Sequence, residues 1–246
     1  MDKHVQKTLI IVSGIVLVCL IAFGFTASLF RTKTTISSNG ISELKVIPDL
    51  VRVYFNIETK ADNISDANDK NSEIFNNLHD KLITAGFEEG KIQTTNLRVD
   101  ANYVWDNGKQ SIDGYVAQHS VVVEMESDNM GLLEKVIDAG ISSGAGISYI
   151  NFELSSSKEQ DYKQQALGLA AEDARSKAKS IAEGAGQRIG NLVSISDSGF
   201  SYSPWIAYAS ADAGVSSPEA IRETTAQITP SEQIVSASVT AVYRVR

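Results

Sequence analysis

The chain holds one cysteine in 246 residues, Cys19, and none among the 213 residues after Lys33. No disulfide can staple that long portion and no thiolate can act in it. Histidine is almost as scarce: His4, His79 and His119 stand far apart, and there is no HExxH, no paired cysteine and no Asp-rich calcium loop. A lone imidazole cannot build a coordination sphere, so His119 reads as a residue on a sheet face. A GxSxG nucleophile elbow is absent too. The glycines from Gly140 to Gly146 precede a strand instead of opening a helix, which argues against a phosphate cradle. Glu88 and Glu89 fall in a turn, and Glu124 and Glu126 share one face of a strand. Without a cleft to raise a pKa, these read as solvated carboxylates and not as an acid–base pair. The expectation is a protein that is not an enzyme, with no catalytic residue, no cofactor site and no metal ligand.

Basic residues are outnumbered, 22 against 30. Removing Lys3, Lys7, Arg31 and Lys33 from the first set and Asp2 from the second leaves a net charge of roughly −11 beyond residue 33. Nucleic acid and anionic membrane surfaces are poor partners for such a domain.

What the chain does have is a run from Leu9 to Phe30, LIIVSGIVLVCLIAFGFTASLF, without one charged side chain. As a helix it would be about 33 Å long, enough for a hydrocarbon core of about 30 Å. Residues 1–33 are therefore expected to be an N-terminal transmembrane anchor with its flanks, in contact with the lipid bilayer through residues 9–30. The rival is a cleaved secretory signal, with Lys3 and Lys7 as its basic start and Thr26-Ala27-Ser28 as its small-residue site. The apolar stretch exceeds the roughly 7–15 residues usual for a signal, which favours a retained anchor. Cys19 follows bulky Val18 mid-run, which does not fit a lipoprotein signal. The expected topology is single-pass, with the amino terminus inside and the C-terminal domain extracytoplasmic; cleavage would leave it secreted or periplasmic.

Residues 40–246 then read as one extracytoplasmic domain. Ile41 to Ile47 is a short strand closed by Pro48-Asp49, and Leu50 to Thr59 alternates Val51, Val53, Phe55 and Ile57 against polar residues. Asp62, Asn63 and Ser65 offer N-caps for a helix that Gly86 ends. Asn63-Ile64-Ser65 is also a glycosylation triplet, in competition with that capping role. Leu97 to Trp105 and Tyr115 to Met125 alternate on either side of Asp106-Asn107-Gly108, with Lys109 to Gly114 lengthening the connection. Asp128 caps a short helix to Gly140, and Ile147 to Leu154 forms another strand. This order, strand, helix, strand, strand, helix, strand, is the ferredoxin-like split βαβ arrangement of an α+β fold. In 155–246 a long Ala-rich helix, Lys158 to Glu183, precedes two further strands, Asn191 to Asp197 and Ile234 to Val245.

Between those strands, the connection 198–233 exceeds the roughly 12–15 residues of an ordinary loop and has no clear period. It carries Phe200, Tyr202, Trp205 and Tyr208, which makes it the candidate interaction surface. The alternative is a disordered loop whose aromatics pack on their own domain.

Several stretches together resemble the SIMPL-domain family: Val46-Ile47-Pro48-Asp49, Lys91 to Leu97, Gly114-Tyr115-Val116-Ala117, and Ala166 through Ala174-Arg175-Ser176-Lys177-Ala178 to Gly186 with Ile189-Gly190. The likeness covers roughly residues 40 to 246 and lies in the ordered set more than in any one motif. It implies a mixed α/β domain, mostly exported or membrane-attached, that tends to self-associate and has no catalytic residues to carry over. The expected role is structural or interactive, in a homo-oligomer formed through strand edges or the aromatic loop. The alternative is a cell-envelope ligand-binding protein that uses residues 200–208, with an envelope component as partner.

Overall fold

The computed structural model describes residue 14 and residues 34–106, 108–208 and 232–246. The apolar run 9–30, Gly14 apart, and residues 209–231 of the long connection lie outside the described residues. Among the described residues no helix is long and apolar enough to cross a membrane.

In chain order the elements are β1 (Thr35–Val46), β2 (Leu50–Ala61), α1 (Ile64–Ala85), a 3-10 turn (Glu89–Lys91), β3 (Ile92–Asp106), β4 (Lys109–Glu126), α2 (Met130–Ser143), β5 (Gly146–Glu153), α3 (Ser156–Gly184), β6 (Ile189–Tyr202), β7 (Trp205–Tyr208) and β8 (Gln233–Val245). They form two compact units: Met1–Ile41 with Ala170–Ser198 and Ser238–Arg246, and Ser42–Leu169 with Gly199–Ala237. The start of β1 falls in the same unit as the second half of α3.

The larger unit is built on a five-stranded sheet, order β3-β4-β2-β5-β7. β2 lies between β4 and β5 and is antiparallel to both, so the two strand–helix–strand halves interleave as the split βαβ pattern requires. Val51, Val53, Phe55 and Ile57 bury one face of β2 in a core shared with Leu78 and Leu82 of α1 and Leu133, Val136 and Ile137 of α2. Each such side chain contributes about 1.5–3 kcal/mol when fully buried. Asn71 ties α1 to the sheet, donating to the Ile57 and Ala117 carbonyls at 2.9 and 3.2 Å.

Asn63 takes the cap of α1: its side chain accepts from the Asp66 N–H, and its amide donates to the Asp66 carboxylate at 2.9 Å. Both polar groups of the glycosylation triplet's asparagine are thus engaged within the helix start. Gly86, at φ 103°, closes the other end. The cap of α2 is Asn129 and not Asp128, its side chain accepting from the Leu132 N–H at 3.1 Å. That helix also runs past Gly140 to Ser143. Gly140 lies under Phe55, where a Cβ would stand 2.3 Å from the ring, so it serves packing and not termination.

The hairpin between β3 and β4 is tighter than expected. Pairing continues to Asp106↔Lys109, which leaves two residues for the reversal. Gly114 does not make a turn; at φ 75° it sits in a register shift opposite Ala101 to Tyr103, a bulge that its missing Cβ permits beside the Ala61 carbonyl.

The smaller unit carries the sheet order β1-β8-β6. Its helix segment presents Ala170, Ala174, Ala178 and Ala182, spaced by four and fully buried. Small side chains bring helix and strand close: a Cβ on Gly40 of β1 would lie 1.9 Å from the Ala170 carbonyl oxygen. Ala174 and Ala178 join Ala241 and Tyr243 of β8 in this unit's core.

The connection 198–233 is corrected in its first part. β6 continues to Tyr202, and Trp205–Tyr208 adds an edge strand to the larger sheet, pairing Trp205↔Phe152 through Tyr208↔Tyr149.

Candidate functional site

The four aromatics expected to form a contact surface lie on β6 and β7, in the larger unit. Tyr202 is an internal clamp. Its hydroxyl donates to Gln233 Oε1 at 2.6 Å and accepts from the Leu154 N–H at 2.7 Å, while Gln233 donates through Nε2 to the Phe152 carbonyl at 2.8 Å. Burial pushes the Tyr202 phenol up to about 12, against the opposing pull of the Leu154 amide. Phe200 lies under Lys163, whose Nζ is 5.1 Å from the ring centroid. Trp205 tilts against Phe152 with centroids 5.3 Å apart and keeps about a third of its surface exposed. Tyr208 is placed by backbone pairing opposite Tyr149. Trp205 is the most open of the three whose side chains are described, Phe200 and Tyr202 being half-buried.

The face of the sheet opposite the helices holds a row of charges. Lys91 reaches Glu124 at 2.8 Å, Glu124 also accepts from Arg52 at 3.0 Å, and Arg52 continues to Glu153. The Lys91 hydrogen bond, with that of Arg52, holds the Glu124 carboxyl below its ordinary value. Burial pushes Glu153 up despite Arg52. Two cations thus answer two carboxylates, and Glu124 is an ion-pair residue instead of half of a dyad with Glu126. Glu88, Lys91, Glu124 and Glu126 also border a cleft of about 520 Å³. Beside the row, Tyr54 and Tyr149 stack at 4.3 Å.

His119 is almost fully buried, with Nε2 2.8 Å from Thr94 Oγ1 and its ring 4.6 Å from that of Phe75 on α1. Burial lowers its pKa. His79 borders Asp80 at 3.7 Å, and His4 lies outside the described residues. Among the described residues no group of three His, Cys, Asp or Glu is placed to hold a metal.

Asp49 has a role that reading the strand pattern missed. Its carboxylate accepts from the Ser155 N–H and Ser155 Oγ, both at 2.8 Å, and so pins the start of α3. Burial acts to raise its pKa, but the Ser155 bonds and Lys158 outweigh it and the net shift is downward. No local signal could have revealed a pair 106 residues apart.

Interleaved strands, two antiparallel sheets and an alanine-faced helix define a mixed α/β domain. The chain belongs to the SIMPL family, whose model, described as a protein of unknown function (DUF541), matches residues 36–243. It is 25% identical over 169 residues to the 26 kDa periplasmic immunogenic proteins of Brucella melitensis biotype 1 and Brucella abortus, a match covering 66% of this chain and 66% of each relative. It is 24% identical over 160 residues to the uncharacterized protein YggE of Edwardsiella ictaluri, covering 64% of this chain and 65% of that one. The chain spans just under two thirds of the length of these curated relatives.

Proposed function

We propose that this chain is an extracytoplasmic SIMPL module, held to the membrane by residues 9–30, whose role is non-catalytic and depends on association with further copies of itself. The periplasmic names of the Brucella relatives support the location, and the uncharged length of the leading run supports the tether. The observation that carries self-association is the outer edge of β6. Fourteen residues long, it ends its sheet and contains no Lys, Arg or Pro, while Leu192, Val193 and Ile195 are each about half exposed. Successive side chains alternate, so Val193 and Ile195 form an apolar pair on one face, next to Asp197, and Leu192 stands on the other face among serines. Natural edges are normally guarded by charge, proline or a cover. The opposite edge strand, β1, has such a guard: the Ile41 N–H is taken by the Asp173 carboxylate of α3 at 2.9 Å.

Sedimentation of the full chain in detergent tests this. The wild type is expected to associate at micromolar concentration, and Val193→Lys with Ile195→Lys is expected to weaken association at least about tenfold, since two ammonium groups would have to be desolvated. A wild type that stays strictly monomeric sinks the proposal.

A second reading, an envelope ligand stacking on Trp205, is favoured by the open surface of Trp205 and Ile206 on edge strand β7. With Trp105→Phe as background, emission from Trp205 should shift on titration with envelope glycans if that reading holds, and stay constant otherwise.

A further inference from the structure

β3 ends the larger sheet, and among the described residues β4 is its one neighbouring strand. An edge strand presents a row of backbone donors and acceptors to whatever can pair with it. This one is fifteen residues long, has neither lysine nor proline, and is exposed along most of its length, Leu97 to 53% and Trp105 to 71%. β2 accompanies β4 only as far as Ala61↔Tyr115, whereas β3 and β4 continue together to Asp106↔Lys109 as an exposed two-stranded ribbon. Two strands alone are marginal in water, and a third gives such a ribbon independent stability.

The chemistry of β3 is arranged about its middle. Val99 is the central residue of the strand, with Arg98 on one side of it and Asp100 on the other. Arg98 donates through Nε to Gln118 Oε1 at 2.9 Å and lies 3.5 Å from Asp100, so both charges stand on one face of the sheet. Leu97, Val99 and Ala101 alternate with them and lie on the other face, the one that buries Ala117 opposite Val99.

We propose that this edge pairs with the same edge of a second copy, antiparallel and centred on Val99, so that two five-stranded sheets run on into one. The inference rests on the self-association proposed above and adds to it an edge of the larger sheet. In this register Arg98 stands opposite Asp100 of the second copy, Leu97 stands opposite Ala101, and Val99 meets Val99. Directly opposed residues share a face, so opposite charges meet on one side and apolar groups on the other. Centring the pair on Arg98 or on Asp100 would set like charge against like, so the strand selects its own register. Guard charges repel a copy; this pair matches one. A two-fold interface uses the same patch twice, and a second copy carries the complementary order of charges by identity, which a foreign strand does not. Tyr103 and Trp105 then lie along the start of the other β3, which supplies the ribbon with its third strand.

The test uses the full chain in detergent carrying Cys19→Ser, which removes the one native thiol. Directly opposed Cβ atoms stand about 4.5–5.5 Å apart, near the span of a disulfide. Diamide should therefore link Val99→Cys into a covalent dimer at least about tenfold faster than Tyr103→Cys, although Tyr103 is the more exposed position. Arg98→Asp, added to Val99→Cys, should slow the linking by about tenfold, and Arg98→Asp with Asp100→Arg should restore it because the signs match again. That restoration separates lost pairing from lost folding. Equal rates at the two cysteine positions, or a charge reversal that the second reversal does not rescue, overturn this inference. The β6 edge then stands or falls on Val193→Lys with Ile195→Lys alone. A wild type that stays strictly monomeric, with no linking at either position, overturns both.

Discussion

Gly40→Ala is expected to lower the unfolding free energy by about 3 kcal/mol, the upper end of the usual overpacking cost. The new methyl would stand 1.9 Å from the Ala170 carbonyl oxygen, 2.4 Å from the Ala174 nitrogen and 2.8 Å from the Ala174 Cβ. Two of these are backbone atoms of a helix, which no side-chain rotation can move. β1 and α3 must part, and the alanine stripe loses the contact for which its small side chains are suited. Domains of this kind have about 5–15 kcal/mol in total, so the loss is visible in a urea titration as a lower midpoint. Gly90→Ala is the control, because a Cβ there meets nothing within 4 Å. Equal midpoints for Gly40→Ala and the wild type would show that helix and strand do not approach as described.

Tyr202→Phe is expected to cost about 2 kcal/mol, since deleting one hydroxyl strands two partners at once. Gln233, only 6% exposed, would keep an unanswered Oε1, and the Leu154 N–H would lose its acceptor. The ring still fits, so packing alone does not explain a loss. Equilibrium unfolding gives the magnitude. A variant within experimental error of the wild type would return Tyr202 to the role of a surface aromatic.

That clamp marks where sequence reading stops. Val51, Val53, Phe55 and Ile57 declare a half-buried strand because a core on one side enforces the period of two, and Asn63 and Gly86 declare helix ends because capping is local chemistry. The alanine spacing from Ala166 to Ala182 is legible for the same reason. Residues 198–202 lack that enforcement. They continue an edge strand exposed along most of its length, so no buried face imposes alternation. Trp205–Tyr208 is only four residues long, too short for a period to register. Lys109 to Asp113 belongs to the exposed ribbon, and Gly114 shifts the register just where alternation would have tied it to Tyr115. Asp128 and Asn129 are adjacent cap formers, and only the geometry of α2 distinguishes them. The charge row needed three strands in register before Arg52 could meet Glu124 and Glu153, and Asp49 needed the whole chain between it and Ser155.

The imidazole sealed between Thr94 and Phe75 has a consequence for acid tolerance. Burial makes His119 a weaker base than the ordinary 6.5, whereas in the unfolded chain it titrates normally. As acidity rises, the unfolded form takes up the proton more readily, so stability is complete above about 6.5 and erodes below it. Asp49 and Glu124, whose pKa values are depressed by their hydrogen-bonded partners, add a later loss in the carboxylate range, and Glu153 opposes them there. Outside a buffered cytoplasm, mild acidification therefore reaches this domain first through one ring hidden beneath a helix.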